Sequence, residues 1–407
     1  MSCIIHTADW HLGARLAGEE RQDEQAAFLG WLSERMGELH PDMLIVAGDV
    51  FDAATPPQSA LSLYYRFLAD LRTASPCCRV LILGGNHDSP AMLEAPRELL
   101  SALNITVVGT STDDPCKSIL ELDDCVVCAV PFLRERDLRS AAPGQSAEDI
   151  AAAIREGIAR RYREALEAAN AVANGRPVIA TGHLAALGTQ NSLSERSIYI
   201  GNLGAVAASC FDGFAYAALG HIHHAQAVGH MENVRYAGSP LALDFSEAAA
   251  DKEIRIVTVV NGVVSSEPLP IPTFRPLLRM TTNSATLAGD LAAKQAVEGA
   301  AFEPWAELTV TDAREHPDIE RLVQDEAAKL RLKVLKIIVP RAKEEVEADA
   351  TAGRTLADLK PEDVFAERMR RKGIEAGSES WNELSASFNM LLEKMREGDI
   401  GGEGGRA

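Results

Sequence analysis

The sequence predicts an α/β protein, and three observations lead to this fold class. Short apolar runs alternate with helical segments from residue 1 to about residue 275, which is typical of helices packed around a central sheet. The runs are apolar on both faces, as expected for a sheet covered on both sides. Each of five runs also ends in side chains that can bind a metal ion. These runs are Cys3–Ile5, Met43–Ala47, Val80–Leu83, Val178–Ala180 and Phe214–Leu219.

Polar side chains follow the five runs in turn. In chain order these are Asp9 and His11, then Asp49, then Asn86, His87 and Asp88, then His183, then His221 and His223. Ligands of α/β sheets bind in the crevice beyond the carboxyl ends of the strands, so we expect the five loops to converge on one site. A glycine precedes the polar residue in four loops, and we expect it to let the backbone turn sharply. The four glycines are Gly48, Gly85, Gly182 and Gly220.

The rest of the chain divides into smaller elements. A predicted strand pair, Glu253–Asn261 and Val263–Pro270, closes a first domain of residues 1–270, and the proline-rich stretch 268–276 is expected to be a linker. Residues 277–341 show the pattern strand, helix, strand, helix, strand of a small α+β module. A charged stretch, 343–354, then leads to the tail.

The tail, residues 355–397, carries apolar residues at helical spacing, from Val364 and Phe365 to Leu392 and Met395. Two short amphipathic helices after a flexible link cannot easily bury such a stripe alone. They either pack on their own chain or dock on a partner as helices in a groove. Residues 398–407 are expected to be disordered.

Composition excludes several classes of protein. The 59 acidic residues exceed the 40 basic ones and give a net charge of −19, so bulk electrostatics cannot hold nucleic acid. Any contact with nucleic acid must be local or shared with a partner. No apolar run approaches the ~18–20 residues of a membrane span. The seven scattered cysteines and the absence of a signal-like start indicate a reducing compartment, and we expect a cytoplasmic protein.

The side chains at the strand ends form a distinctive donor set. Two aspartates, one asparagine and four histidines supply oxygen and nitrogen without a thiolate, which suits manganese, iron or zinc. Seven ligands are too many for one ion. Two ions about 3.5–4 Å apart can share a carboxylate, lower the pKa of a shared water and clamp a phosphoryl group. Asp49 is the natural bridge between them.

The order of these motifs resembles that of the calcineurin-like metallophosphoesterases. The stretches that narrow the resemblance to the SbcD family of nuclease subunits are IIHTADWHLG, LIVAGDVFD, LILGGNHDS and ALGHIHHAQ. The resemblance implies a β-sandwich flanked by helices, a small α+β capping domain at 277–341 and a C-terminal helical tail that binds a partner. It covers nearly the whole chain.

The resemblance also implies a division of the ligands between two divalent ions, most consistent with Mn²⁺. One ion is assigned to Asp9, His11, Asp49 and His223, and the other to Asp49, Asn86, His183 and His221. His87 is not a ligand in this pattern but faces the scissile phosphate, where it can stabilise charge or protonate the leaving oxygen. Either Asp52 or Asp88 is expected to orient the ring of His87.

Two arginines are candidates for binding DNA phosphates. Arg15 and Arg21 lie in the charged loop Gly13–Asp23 after the first ligand motif, although a solvated loop explains them equally well. His6, by contrast, lies within the first predicted strand and is interpreted as a structural residue.

The resemblance further implies that residues 355–397 bind an SbcC-type ATPase. Relatives form homodimers through helices in the region of Gln58–Thr73 and Ala91–Leu103, which would give a heterotetramer with the ATPase. Apolar residues at positions 61, 64, 67 and 68 could equally cover the sheet, and the sequence does not separate these alternatives.

The leading hypothesis is a metal-dependent DNA nuclease that acts with the ATPase in repair, recombination and replication. It would digest duplex ends as an exonuclease and cut single strands and hairpins as an endonuclease, in association with the nucleoid. A phosphoesterase for small phosphodiesters or phosphoproteins is the alternative within enzymes, because the metal pattern is shared across the superfamily. A non-catalytic scaffold for DNA ends is the third possibility.

Overall fold

The structure is a computed structural model that describes residues 1–138, 147–190, 192, 205–294 and 300–340, with isolated positions in the tail. The chain divides into two compact units, Met1–Pro340 and Arg341–Ala407. In the second unit, the ring of Phe365 stacks on that of Phe388, with centroids 4.3 Å apart. The predicted linker 343–354 and the terminal residues 398–407 lie outside the described residues, as does most of the tail.

Residues 2–270 of the first unit contain fourteen strands and six helices. The strands are β1 (Ser2–Thr7), β2 (Arg15–Leu16), β3 (Glu19–Glu20), β4 (Met43–Val46), β5 (Arg79–Leu83), β6 (Ile105–Val108), β7 (Ile119–Glu121), β8 (Val126–Cys128), β9 (Val178–His183), β10 (Tyr216–Gly220), β11 (Gln226–Val228), β12 (Met231–Tyr236), β13 (Glu253–Val260) and β14 (Val263–Pro270). The helices are α1 (Gln22–Leu39), α2 (Gln58–Ala74), α3 (Pro90–Glu94), α4 (Arg97–Ala102), α5 (Glu135–Leu138) and α6 (Ala147–Ala173). These counts refer to the described part of the chain. None of the described helices combines the length and apolar composition needed to cross a membrane.

Two six-stranded sheets form the core of this unit. The first has the order β14-β13-β1-β4-β5-β6, and the second has the order β11-β12-β10-β9-β8-β7. In the first sheet β1, β4 and β5 are parallel, and β13 returns antiparallel beside β1. In the second sheet β9 is parallel to both β8 and β10.

The two sheets pack face to face. Ile45 and Leu81 of the first sheet share a buried apolar cluster with Ile179 and Ala218 of the second. Helices α1 and α2 cover the outer face of the first sheet, and α6 covers the outer face of the second. The β-sandwich implied by the resemblance is therefore confirmed. The single central sheet inferred from periodicity is wrong, because periodicity sets the local conformation of a strand and not its partners.

Residues 277–340 form a small module, hereafter the small sheet module. Its strands β15 (Leu277–Thr282), β16 (Trp305–Val310) and β17 (Lys333–Ile338) are parallel, and helices α7 (Leu287–Ala292) and α8 (Ile319–Ala327) share an apolar cluster with them. Trp305 and Leu277 pack against Leu16 and Phe245 of the sandwich. This contact fixes the module beside the loop that follows β1.

The predicted proline-rich linker is shorter than expected. Pro268 and Pro270 lie in β14, which is the outermost strand of the first sheet. Proline lacks a backbone donor and is tolerated on such an edge, where one side of the strand needs no partner. The chain leaves the sheet only after Pro270.

The apolar residues of α2, which the sequence left open as a dimer surface or a cover for the sheet, mainly cover the first sheet. Tyr64, Phe67 and Leu68 of α2 are buried in its outer cluster. The predicted helix Ala91–Leu103 is interrupted and becomes α3 and α4, since Pro96 lacks the N–H that a continuous helix requires. Tyr65 and Leu99 remain exposed, at 42% and 67%.

Candidate metal centre

The predicted ligands come together where the carboxyl ends of both sheets meet. The loops after β1 and β4 run side by side, because the backbone N–H groups of Asp9 and His11 donate to the carbonyl oxygens of Gly48 and Asp49, at 3.1 and 3.0 Å. The second sheet approaches from the other side. The backbone N–H of His221, after β10, donates to the carboxylate of Asp9 at 2.9 Å.

Several ligand positions have an unusual backbone conformation. The φ angles of Asp9, His11, Asp49 and His221 are 52°, 44°, 48° and 96°. Residues with side chains rarely adopt such positive angles, and strain of this kind persists only where the surrounding structure enforces it. The surrounding structure therefore holds these four residues in conformations that cost free energy, and these conformations direct their side chains toward the site.

The glycines act mainly by permitting close approach. A Cβ on Gly85 would lie 2.0 Å from Oδ1 of Asp49, and one on Gly220 would lie 2.0 Å from the carbonyl oxygen of Ala47. Only Gly48, of the four predicted glycines, has a positive φ, of 90°. The expected sharp turn thus applies to Gly48, whereas the other glycines make room for neighbouring loops.

Among the described residues, acidic side chains and histidines form three groups, each with ligand atoms within 4.8 Å of one another, and one of these joins His11 to Asp52 and His87. The first metal group is Asp9, His11 and His223, and the second metal group is Asp49, His183 and His221. Asp49 lies between the two groups. Its Oδ2 atom is 3.2 Å from Nε2 of His183 in the second group and 3.6 Å from Nε2 of His11 in the first. A carboxylate between two groups is the arrangement that a bridging ligand requires.

Asn86 belongs to the second group by position. Its Oδ1 atom lies 2.9 Å from Nε2 of His183 and 3.0 Å from Nδ1 of His221. Two ligand atoms at right angles around an ion, each about 2.1 Å from it, would be ~3 Å apart. These separations fit ligands that converge on a divalent cation.

Three histidines are held in the tautomer that a metal ligand needs. His183 donates through Nδ1 to the carbonyl oxygen of Ala47 at 2.9 Å. Nδ1 of His11 lies 3.2 Å from the carboxylate of Asp52, and Nδ1 of His223 lies 3.5 Å from that of Glu247. Each contact leaves the Nε2 lone pair for an ion. Nε2 of His11 is buried and, among the residues that the structure describes, has no hydrogen-bond partner, as expected for an atom that binds a metal.

The electrostatics of the site also suit a cation. Burial, aided by the negative charge of Asp49, raises the pKa of Asp9 to about 7. Burial lowers the pKa of His221 to about 3 and that of His223 to about 4. Both rings are therefore neutral at pH 7, and each has a nitrogen lone pair that can bind a metal ion. Bringing two carboxylates into one buried site costs free energy that a divalent ion offsets.

His87 lies against the first group, and its ring centroid is 4.8 Å from that of His11. The Nδ1–H of His87 donates to the backbone carbonyl oxygen of Asp52 at 2.7 Å. Nε2 of His87 is buried and has no hydrogen-bond partner within the described ranges. This atom is therefore available to a group of the substrate.

In the described part of the chain no hydrogen bond joins either predicted carboxylate to the ring of His87, although a carboxylate oxygen of Asp52 lies within 4.8 Å of a ring nitrogen. The Asp52 carboxylate contacts His11, whereas that of Asp88 accepts hydrogen bonds from the backbone N–H groups of Gly85, Val50 and Phe51. The backbone carbonyl of residue 52 makes the hydrogen bond to the ring, and the orienting role expected for the Asp52 or Asp88 carboxylate stays a prediction. Asp88 instead holds two ligand loops together.

The two candidate arginines differ in exposure. Arg15 lies on the β2–β3 hairpin, and 59% of its side chain is exposed, with Glu20 3.6 Å away. Arg21 is only 4% exposed and donates to the carboxylate of Glu24 and to the carbonyl oxygen of Ala242. The Arg21 guanidinium is thus paired inside the protein, and its contact with DNA stays a prediction that this placement disfavours.

Glu247 is a residue of the site that the sequence motifs did not indicate. This residue ends a short 3₁₀ turn, Phe245–Glu247, which Asp244 caps by accepting a hydrogen bond from the N–H of Ser246. The turn carries the Glu247 carboxylate to His223. A glutamate followed by a lysine five residues later was the only signal in the sequence, and such pairs are common on protein surfaces.

Comparisons with known proteins agree with this site. The calcineurin-like phosphoesterase family model matches residues 4–225, more than half of the chain. A second family model, described as the type 5 capsule protein repressor C-terminal domain, matches residues 273–372. The fold and the paired ligand groups define a calcineurin-like phosphoesterase, a class of enzymes that use divalent metal ions.

Similar proteins of known name identify the family within this class of phosphoesterases. The SbcD subunit of the nuclease SbcCD from Escherichia coli is 37% identical over 90% of this chain and 92% of its own length. The proteins of the same name from Rhodobacter capsulatus and Bacillus subtilis are 35% and 34% identical, over 68% and 64% of this chain and 71% and 66% of their own. The chain belongs to the SbcD family of nuclease subunits.

Proposed function

We propose that the chain is a metal-dependent DNA nuclease, the phosphodiesterase subunit of a complex with an SbcC-type ATPase. One observation supports this most strongly: Asp49 of the second ligand group lies 3.6 Å from His11 of the first, and Nε2 of His87, which has no hydrogen-bond partner among the described residues, lies beside them. The relatives named as nuclease subunits support DNA as the substrate class. Duplex ends, single strands and hairpins are the expected DNA substrates.

The residues fit a pair of divalent ions, for which we propose Mn²⁺. Asp9, His11 and His223 would hold one ion, and Asn86, His183 and His221 the other, with Asp49 between them. When bound, the ions would supply Lewis acidity to a phosphodiester and activate water for attack on phosphorus.

His87 would act on the leaving group. Because the Asp52 carbonyl oxygen holds Nδ1–H, proton exchange by His87 takes place at Nε2. A protonated ring donates from Nε2 to the departing sugar oxygen, and the carbonyl stabilises the charged ring through Nδ1. Mutating His87 should therefore slow the chemistry without removing a metal ligand.

The small sheet module and the tail extend the proposal beyond the metal centre. We propose that residues 277–341 cap the site and help to select DNA, and that residues 355–397 bind the ATPase. The ring contact between Phe365 and Phe388 supports a folded apolar face in the tail. Exposed Tyr65 and Leu99 support a homodimer through the α2–α4 region. Such a complex would act at the nucleoid in the cytoplasm.

The test is a cleavage assay with the purified full chain and Mn²⁺. The substrates are linear duplex, single-stranded and hairpin DNA, and a small chromogenic phosphodiester, each with and without the ATPase. We expect DNA cleavage that depends on the metal and that His87→Gln reduces by a factor of about 10²–10⁴. Hydrolysis of only the small diester would support the alternative phosphoesterase, and DNA binding without any hydrolysis would support a scaffold.

A further inference from the structure

The two metal groups differ in what holds their histidines. In the first group, both His11 and His223 contact carboxylates through Nδ1, those of Asp52 and Glu247. In the second group, Nδ1 of His183 donates to a neutral backbone carbonyl oxygen, that of Ala47, at 2.9 Å, while the Asp9 carboxylate is 3.9 Å away. Of these three histidines, the two in the first group therefore have a carboxylate as the nearest partner of Nδ1.

Glu247 is built into the protein interior and is fully buried. Its Oε2 atom accepts hydrogen bonds from Nζ of Lys252 at 2.7 Å and from the backbone N–H of Leu243 at 3.2 Å. Oε1 lies 3.5 Å from Nδ1 of His223. A buried carboxylate persists when it is paired and hydrogen-bonded, and Lys252 meets that condition.

Lys252 links the Glu247 carboxylate to the main chain of His223. Its Nζ atom also donates to the carbonyl oxygen of His223 at 3.2 Å and to Oγ of Ser239 at 2.9 Å. His223 is thus held at both its ring and its main chain by one ion pair. This arrangement fixes the ring orientation before any ion binds.

A carboxylate behind a histidine ligand increases the basicity of the metal-binding nitrogen, and its loss commonly weakens metal binding 10- to 100-fold. Each group also contains one carboxylate ligand, Asp9 in the first and Asp49 in the second, so the contacts behind the histidines are what distinguish the two groups.

We propose that Glu247 is a positioning residue for His223 and that the carboxylates behind the first metal group make it the tighter of the two metal sites. The inference rests on the two-metal centre of the proposed function. It adds an order of filling, in which the first group binds an ion before the second does.

The experiment is calorimetric titration of the metal-free full chain with Mn²⁺. The wild type should bind two ions in distinct steps. Glu247→Gln should weaken the tighter step 10- to 100-fold and change the weaker step less than threefold. Asn86→Ala should remove the weaker step and keep the tighter one, which assigns each step to a group. Glu253→Gln is the matched control, since this carboxylate pairs with Arg255.

A second measurement separates positioning from general structure. In ¹⁵N-histidine spectra of the metal-free chain, His223 should be the Nδ1–H tautomer in the wild type and a tautomer mixture in Glu247→Gln. If Glu247→Gln does not fold, Asp52→Asn replaces it, because the Asp52 side chain is 45% exposed and supports His11 of the same group. This variant should also weaken the tighter step.

Equal weakening of both steps, or no weakening, would overturn the inference while leaving the two-metal centre intact. So would loss of the tighter step in Asn86→Ala. A wild-type chain that binds fewer than two ions under saturating Mn²⁺ would overturn the proposed function itself. The wild-type stoichiometry therefore distinguishes the two failures.

Discussion

The Nδ1 atom of His87 lies 2.7 Å from the backbone carbonyl oxygen of Asp52, while the carboxylate of the same residue contacts His11. One residue thus serves the proposed acid through its main chain and a proposed metal ligand through its side chain. Mutating the Asp52 side chain should leave the hydrogen bond to His87 in place, so variants at the two positions should behave differently.

His87→Gln should reduce DNA cleavage by a factor of about 10²–10⁴, because a positioned acid contributes on that scale. The loss should persist at saturating Mn²⁺, since the variant keeps every proposed ligand. Asp52→Asn, in contrast, should recover most of its cleavage when the metal concentration is raised. Cleavage rates measured across a Mn²⁺ series check both outcomes, and recovery of His87→Gln at high metal would contradict the role of His87.

Gly85→Ala should abolish metal binding. A Cβ at this position would lie 2.0 Å from Oδ1 and 2.3 Å from the backbone nitrogen of Asp49, so the bridging loop would have to move. Gly30→Ala in α1 is the control, because a Cβ there meets no atom within 4 Å. Alanine in a helix should stabilise that variant by about 0.5–1 kcal/mol. Metal titration and urea unfolding of both variants provide the measurement, and normal metal affinity in Gly85→Ala would refute the prediction.

The stability of the metal-free protein should depend on pH through His6. This ring is fully buried and contacts Tyr216 and the carbonyl oxygen of Leu219 across the sandwich, and burial lowers its pKa to about 3. An unfolded histidine binds its proton near pH 6.5, so the unfolded chain holds more protons between pH 6.5 and 3. The free energy of unfolding should therefore fall with decreasing pH in this window, by up to about 1.4 kcal/mol per unit.

Replacing His6 isolates its share of that slope. His6→Gln should be less stable than the wild type at pH 7, yet its stability should decline less steeply between pH 6.5 and 5. Urea unfolding at several pH values gives both slopes. Parallel slopes for the two proteins would show that His6 does not contribute.

Arg21→Ala should affect stability and not DNA binding. Removing one partner of a buried pair is strongly destabilising, and about 3 kcal/mol is expected because Glu24 retains a second partner, Arg275. Arg15→Ala should do the reverse, weakening DNA binding with little change in unfolding, because Arg15 is exposed. Urea unfolding and DNA titration at fixed salt distinguish the two. Weaker DNA binding by folded Arg21→Ala would restore Arg21 as a contact.

The sequence predicted the local features of this protein better than its long-range ones. The apolar runs before Asp9, Asp49 and His183 are strands, because a continuous apolar run bounded by glycine specifies that conformation locally. Their division between two sheets was not predictable, since it depends on which strands pair. The residues that contact the ligand histidines through Nδ1 were equally difficult to predict from the sequence. The Ala47 carbonyl has no side-chain signal, and Glu247 looks like a surface residue until the fold buries it.

The placement of β1 has a consequence for the protein during its own synthesis. β1 pairs with β13, which ends at Val260, and Asp9 receives a hydrogen bond from His221, 212 residues further on. A ribosome that has translated only the first half of the message therefore holds a chain whose metal centre is incomplete. The order of synthesis therefore sets the earliest point at which the metal centre can form.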